Sequence, residues 1–518
     1  MGGEWDAFRL IDLSIIGVYL AVMVGIGLSL AKRTKKTEAF LAASRSLPGW
    51  AVGLSIFGTF VSSISFLANP GKSYDTNWNF FVFGLSLPIA AWIAARYFIP
   101  FYRRSGTISA YTHLEERFGV WARLYAVGCY LLTQVARVGT ILYLVALAVT
   151  PMFPGIETWV LIVIIGTLVT IYTLTGGIEA VIWTDVIQSV VLTVGMIICL
   201  GVLLWRMPEG PTQIFSIAHE HGKLSLGEMS LFSDVASMFW IVLIYGLVIN
   251  LQNFGIDQTY VQRYATAKDD DAAKRSVWIG ALLYLPISAI LFFIGTALFA
   301  YYTASPDLFR PEKADEIFPH FINNELSVGI RGLMIAAILA AAMSSVDSSL
   351  NSSAALVLCD LYRRFLGRST SERESMRVLY GSTIFWGIIG TFAALAMIHV
   401  ESALKHWWTL AGIFGGGMLG LFLLGRICSR AGSKAALTGV ATGVLVILWA
   451  SLCHPESFVW KWLWAHLSEE GHRWLLRLQN PLPLLVTIVL GTVTILLVGT
   501  LASTIWPRQN KASQSAEV

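Results

Sequence analysis

The sequence predicts an all-helical integral membrane protein of about thirteen spans, on three observations. First, 56% of its 518 residues are apolar and only 13% are charged, whereas a soluble domain carries about a quarter charged residues. Second, long uncharged runs recur along the whole chain, among them 186–205, 276–306 and 480–507. A helix needs roughly 20 apolar residues to cross the hydrocarbon core, and each of these runs is long enough. Third, Lys and Arg collect in alternate short loops, the pattern that marks cytoplasmic loops.

The spans are expected at 9–31, 50–70, 79–101, 120–151, 156–176, 181–205, 235–264, 274–302, 327–362, 375–399, 407–427, 434–453 and 482–505. We call the first the leading helix, the next ten core helices one to ten, and the last two the trailing helices. Residues 1–518 then form one membrane domain: a leading helix at 9–31, a core of about 50–430, extra helices at about 434–505 and a disordered tail at 508–518.

Basic residues fix the expected orientation. Lys32, Arg33, Lys35 and Lys36 follow the leading helix, and Arg103 and Arg104 follow core helix two. On the same side fall Arg263, Lys268, Lys274 and Arg275, then Arg363, Arg364 and Arg368, then Arg426, Arg430 and Lys434. This puts the N-terminus outside and the C-terminus in the cytoplasm, across the cell's inner (plasma) membrane. The first span is too long for a cleaved signal peptide, and its basic residues come after it. The net charge of +4 is therefore a topology signal, and no nucleic-acid partner is expected.

The five cysteines (Cys129, Cys199, Cys359, Cys428, Cys453) lie in or beside spans without paired spacing, so they read as packing residues. No phosphate-binding loop is present, which argues against an ATP-driven pump on this chain. No nucleophile–base pair or metal motif suggests an enzyme. The external loops 206–234 and 303–326 are longer and mildly amphipathic, as lids or as filler.

Two spans look broken. Core helix one, Gly53 to Gly71, carries Gly58 and the hydroxyls of Ser55, Thr59, Ser62, Ser63 and Ser65, with Pro70 beyond them. Core helix six, Tyr245 to Arg263, carries Gly246, Asn250, Gln252, Asn253, Gly255 and Asp257 at membrane depth. They are five helices apart, as an inverted five-plus-five repeat with a midplane site requires. Unwound backbone at that depth is tolerated only where it lines a cavity or packs on protein.

Core helix eight offers oxygen ligands. Ser344, Ser345, Asp347, Ser348, Ser349, Asn351, Ser352 and Ser353 fall within ten residues of one span. A hard cation prefers such hydroxyl, carbonyl and carboxylate oxygens. Ser344, Ser345 and Ser348 share a helical face, beside Asp347, an ionisable residue inside a span. Asp185 in core helix five is a second such residue. The outer serines Ser349, Ser352 and Ser353 are expected to bond back to the i−4 carbonyl. Arg137 lies inside core helix three. Its planar fork suits a solute carboxylate, or an internal acid or helix carbonyl.

These segments resemble the sodium/solute symporter family. Tyr172 to Ala180 (YTLTGGIEA) resembles its signature after core helix four, with Ile178 as a mild departure. Gly255 to Arg263 (GIDQTYVQR) resembles the segment after the break in helix six. The serine-rich stretch ending in Cys359-Asp360-Leu361-Tyr362 resembles its ion helix. Together they cover about residues 9 to 430. The resemblance implies a leucine-transporter-like fold and alternating access driven by inward sodium. It implies a principal sodium site on the carbonyls of Gly58, Val61 and Ala341 and the hydroxyls of Ser344 and Ser345. A further sodium site would use Ser344, Asp185, Asp347 and Ser348. Asp347 stands where sialic acid members carry a hydroxyl residue, so either sodium or a proton is the expected occupant there.

Arg137 and its surroundings resemble the bacterial sialic acid symporters, and also the vitamin, iodide and monocarboxylate branch. Thr59, Phe60, Ser62 and Ser65 match substrate-facing positions, Phe60 departing from the polar residue expected there. Asn250, Gln252 and Asn253 would meet polar groups of the solute. The expected function is sodium-coupled import of a small, carboxylate-bearing solute of sialic acid type. Neutral-sugar (glucose/galactose-type), amino-acid and monocarboxylate symport are the alternatives, and a sensor or channel is a weaker rival. The expected partners are the solute, sodium and membrane lipid. Nothing in the sequence sets an oligomeric state, and a monomer suffices.

Overall fold

Apolar runs with few strand-forming alternations become helices in the computed structural model, which describes residues 2–31, 34, 36–153, 155–174, 176–230, 238–366, 370–399 and 403–508. The expected disordered tail lies outside the described residues apart from Arg508, as do Lys32, Arg33, Lys35 and Arg368. Among the described residues, eleven helices are long and apolar enough to cross a membrane. A bent pair, Gly49–Phe60 and Ile64–Asp75, makes a twelfth span with a 54° bend. At the place of core helix four stands Thr158–Thr173, only 16 residues long. Length and composition thus support eleven or twelve crossings, and the expected thirteenth rests on that short helix.

The remaining core helices are Asn79–Ser105 (two), Val120–Val149 (three), Gly177–Arg206 (five) and Phe239–Ile256 with Gln258–Thr266 (six). They continue as Asp270–Ala304 (seven), Ile330–Phe365 (eight), Glu372–Ala396 (nine) and Ala403–Ile427 (ten). The leading helix is Gly2–Ala31, and the trailing pair is Ser433–Leu452 and Val486–Ile505. The trailing helices pack on each other and on core helix ten, outside the core.

Core helix eight is the centre of the molecule: 94% of its spanning window is buried, against 17% for the leading helix. Its composition explains this, since Ala and Ser let neighbouring backbones approach closely. Core helices one, three and five pack around it, and core helix seven lies along core helix one. The signature glycine Gly177 has φ +56°, and a Cβ there would lie 2.9 Å from the Phe40 Cα. Only glycine serves both needs.

The leading helix is joined to core helix eight by a buried acid. Asp12 accepts from the amides of Gly329 (2.8 Å) and Gly332 (2.9 Å) and from Arg331 Nε (2.7 Å). Helix eight begins after Gly329, at φ +84°, with no cap of its own. Asp12 therefore supplies the missing cap from another helix.

One topology residue is corrected. Arg263 is not a loop cation: it is fully buried and pairs with Asp185 at 2.9 Å. Its charge is used inside the bundle, so it carries no orientation signal. The two longer loops expected to be external contain the helices Thr212–Glu220 and Ala314–Glu325. The latter packs on the second half of core helix one, where Phe318 meets Phe66 at 5.8 Å.

Candidate functional site

Both expected breaks are present. Core helix one stops at Phe60, Val61 turns to φ −84°, ψ 77°, and helix resumes at Ile64 through a π turn. Core helix six stops at Ile256. A single extended residue, Asp257 (φ −73°, ψ 122°), starts the second half, and its carboxylate accepts from the Thr259 amide at 2.8 Å.

A cavity lies between the breaks. Core helix one contributes Phe60, Ser62 and Ser65, core helix three contributes Gln134 and Arg137, and core helix six contributes Gln252, Asn253 and Asp257. Tyr260, Tyr284 and Trp407 complete its aromatic wall. Phe60 packs on Tyr284 at 4.9 Å, with Phe254 at 5.8 Å and Tyr260 at 6.0 Å. Both amide atoms of Gln134 and the Oε1 of Gln252 are buried without a hydrogen-bond partner among the described residues. Such atoms are uncommon in native interiors, and here they belong to residues that line the cavity.

Arg137 Nη2 donates to the Thr59 carbonyl at 2.8 Å, and Asp257 lies within its electrostatic reach. Of the two readings open for Arg137, the structure thus supplies an internal partner, a helix carbonyl at the break, while leaving the guanidinium on the cavity wall. The Thr59 carbonyl also accepts from Ser345 Oγ at 3.3 Å.

Two expected solute contacts are elsewhere. The Thr59 side chain turns from the cavity and accepts from Arg263 Nη2 at 2.7 Å. Successive helical residues point about 100° apart, so with Phe60 on the cavity its neighbour faces the core. Asn250 ties core helix six to core helix two, its amide donating to Ser86 Oγ at 2.9 Å.

The residues expected at the principal sodium site converge. Ser344 Oγ donates to the Gly58 carbonyl at 2.9 Å and the Ala341 carbonyl at 3.1 Å. Val61 sits in the adjoining break. All these groups are buried. Hydroxyls and carbonyls gathered in this way suit a hard monovalent cation.

The residues expected at the further site are close to one another but differently engaged. Asp185 Oδ2 accepts from Ser55 Oγ at 2.5 Å and Arg263 Nη2 at 2.9 Å. Ser348 Oγ donates to the Ser344 carbonyl and accepts from Arg263 Nη2, both at 2.6 Å. Asp347 Oδ1 accepts from the Ser348 amide at 2.6 Å. Ser349 and Ser352 bond back to the i−4 carbonyls of Ser345 and Ser348.

Sequence reasoning did not place Gln134, Tyr260 or Asp257 on the cavity, nor Arg263 in the core. Gln134 was findable, since it lies three residues before Arg137 on one helical face. Arg263 was hidden by its position at a span's end, where a cation ordinarily marks a loop.

The sequence profile of the sodium:solute symporter family matches residues 40–443. The chain is 36% identical to the sodium/sialic acid symporter NanT of Aliivibrio fischeri, over 86% of this chain and 88% of that one. It is 37% identical to the sodium/sialic acid symporter SiaT of Proteus mirabilis, over 85% and 89%. Its structure is similar to that of a Na+-coupled sialic acid symporter in a substrate-bound outward-open state. There the TM-score is 0.85 at 33% identity, covering 96% of this chain and 99% of the other. A nucleobase-cation-symport-1 family transporter shares the fold at a TM-score of 0.57 and 16% identity.

Proposed function

Because this chain belongs to the sodium:solute symporter family, a family of multi-pass sodium-coupled carriers with the leucine-transporter-like fold, we propose that it imports a sialic acid-like anion with sodium. The observation that carries the reading is one shared peptide group. The Thr59 carbonyl accepts from Arg137 at 2.8 Å and from Ser345 at 3.3 Å. The solute clamp and the ion helix thus meet at the break in core helix one.

The mechanism follows from that contact. Sodium enters at the carbonyls of Gly58, Val61 and Ala341 and the hydroxyls of Ser344 and Ser345, and ties core helix one to core helix eight. Each positive charge moving inward gains about 2.3 kcal/mol per 100 mV of membrane potential. The solute docks between core helices one, three and six. Its carboxylate meets Arg137, and its hydroxyl and amide groups meet Gln134, Gln252, Asn253 and Asp257. Asp257 accepts donors from the solute and keeps Arg137 electrostatically balanced before the solute arrives. A ligand shifts a conformational equilibrium only by its differential affinity, so sodium binds the outward-facing state more tightly and leaves from the inward-facing one. The N-terminus lies outside the plasma membrane and the C-terminus in the cytoplasm, and residues 1–518 form one transport domain.

A second reading, a smaller or less hydroxylated monocarboxylate, is favoured by one feature. Phe60 brings an aromatic surface, with Tyr284 at 4.9 Å, to a position where a highly hydroxylated solute gains little.

The test is uptake of labelled N-acetylneuraminate into proteoliposomes with and without an inward sodium gradient. Gradient-dependent accumulation is expected, with loss in Arg137→Ala and in Ser345→Ala. Accumulation that survives Arg137→Ala removes the carboxylate clamp. No accumulation of N-acetylneuraminate alongside sodium-driven uptake of lactate or pyruvate moves the assignment to the smaller anion.

A further inference from the structure

A basic cleft of about 500 Å³ lies away from the solute cavity, where core helix two meets core helix ten. Arg96 and Arg104 of core helix two and Arg426 of core helix ten line it, with Tyr97 and Phe101. All three arginines are exposed, and among the described residues none of their guanidinium groups has an ion-pair or hydrogen-bond partner. Their neighbour Arg103 is the contrast: its Nε pairs with Asp270 and its Nη1 donates to the Ala267 carbonyl, both at 2.8 Å. Two of the three cleft arginines lie on rings instead. Arg426 sits over Phe101 at 5.0 Å and Arg96 over Tyr97 at 5.7 Å. A guanidinium resting on a ring face keeps its N–H edge free for an acceptor.

The helix dipole accounts for Arg104 and Arg426, which stand in the last turns of their helices, where cations are favoured. It does not account for Arg96. That residue lies nine positions before Ser105, about 13 Å deeper along the axis at 1.5 Å per residue. A charge inside a span calls for a partner, and among the described residues no acid lines the cleft. The wall continues toward the hydrocarbon. Ile89 and Trp92 precede Arg96 at the three- and four-residue spacing of one helical face, and they are 48% and 55% exposed. Trp92 also meets Tyr97 of the cleft edge to face at 6.2 Å. One stripe of core helix two thus passes from apolar to basic, as a bilayer passes from acyl chain to headgroup.

We propose that this cleft binds an anionic phospholipid. Arg96, Arg104 and Arg426 hold its phosphate, and an acyl chain lies along Trp92 and Ile89. Guanidinium forks match phosphate oxygens, and basic pockets between spans suit anionic headgroups. The lipid belongs to the leaflet at the end of core helix two, the cytoplasmic one in the proposed orientation. Free phosphate shares the headgroup's charge but has nothing to lay along Trp92 and Ile89. The bound lipid bridges core helices two and ten across an aromatic seam, where Phe98 and Phe101 meet Phe422 at 5.7 and 6.1 Å. Core helix two also reaches the break in core helix six, where Tyr102 Oη donates to the Gly255 carbonyl at 2.8 Å. A lipid at this seam therefore braces a helix that touches the solute-binding break.

The experiment is native mass spectrometry of the purified full chain in detergent, titrated with dioleoylphosphatidylglycerol or dioleoylphosphatidylcholine. The wild type is expected to bind phosphatidylglycerol more tightly than phosphatidylcholine. Arg96→Gln and Arg426→Gln are each expected to weaken phosphatidylglycerol about fivefold, the effect of one basic residue near an anionic surface, and to leave phosphatidylcholine unchanged. Both positions are exposed, so neither change removes a core contact. Arg430→Gln, at an exposed arginine outside the cleft, controls for general positive charge and is expected to keep the wild-type affinity. Equal binding of the two lipids by the wild type overturns the site. So does unchanged phosphatidylglycerol affinity in both Arg96→Gln and Arg426→Gln, or an equal loss in Arg430→Gln. Displacement of phosphatidylglycerol by an equal concentration of inorganic phosphate overturns the lipid as occupant and leaves a site for a free anion.

Discussion

A single glycine sets the reach of a cavity-facing amide. A Cβ at Gly415 in core helix ten would lie 2.5 Å from both Nε2 and Oε1 of Gln252. Gly415→Ala therefore pushes that amide along the cavity wall, since a side-chain end yields more readily than two packed backbones. One hydrogen bond is worth about 1 kcal/mol net, so the apparent KM for solute should rise about fivefold. Sodium binding should stay unchanged, because the residues of the principal site lie on core helices one and eight. An unaltered KM would mean that Gln252 does not contact the solute. At this scale the sequence was legible where a residue type is rare in its setting. Arg137, Asp185 and Asp347 stand out as charges inside spans. Thr59 and Asn250 did not separate from Phe60 and Gln252, because composition says which residues are polar but not which way they face.

The elements are legible for a different reason. Span length and apolar content are linear properties, and the breaks in core helices one and six announce themselves by glycine and polar residues at membrane depth. Which helix touches which is not linear. Asp12 in the leading helix passed unremarked in the sequence, although an acid inside a span ordinarily signals a role. Its function appears only when Gly329, Arg331 and Gly332 are brought beside it, 317 to 320 residues away along the chain. Asp12→Ala leaves the helix-eight cap open and Arg331 without its acid partner. Breaking a buried pair of this kind costs about 3 kcal/mol. We expect a clear drop in the melting temperature of the purified protein, whereas Ser14→Ala, on an exposed hydroxyl of the same helix, should leave it unchanged. Equal melting of Asp12→Ala and wild type would show that the leading helix is not held by this cap.

For the whole molecule the question is how charge crosses the membrane. Transport of two sodium ions with one monovalent anion would move one net positive charge inward per cycle, and transport of one sodium would move none. With two, uptake should rise when a potassium gradient with valinomycin makes proteoliposomes negative inside. At 100 mV the net charge contributes about 2.3 kcal/mol, enough for about a fiftyfold change in the accumulation ratio at equilibrium. Uptake insensitive to that potential would indicate one sodium per anion. The C-terminal end of core helix eight is held by a separate network. Asp360 accepts from Ser109 at 2.7 Å and pairs with Arg123 at 2.5 Å, and Arg123 pairs with Glu115 at 2.7 Å. The central helix is therefore anchored at both ends, by Asp12 at its start and Arg123 at its end, while its middle carries the proposed ion ligands.

Membrane class, the approximate spans, the two breaks and the oxygen-rich ion helix follow from the linear order of residues, because hydrophobic length and local composition act within one helix at a time. The division of labour among polar residues does not. Arg263 reads as a loop cation until folding buries it against Asp185, and Asp12 is unremarkable until Gly329, Arg331 and Gly332 come beside it. Burial raises the cost of every unpaired polar atom. It is packing between distant segments that decides which of them are satisfied within the protein and which are left for solute and ion.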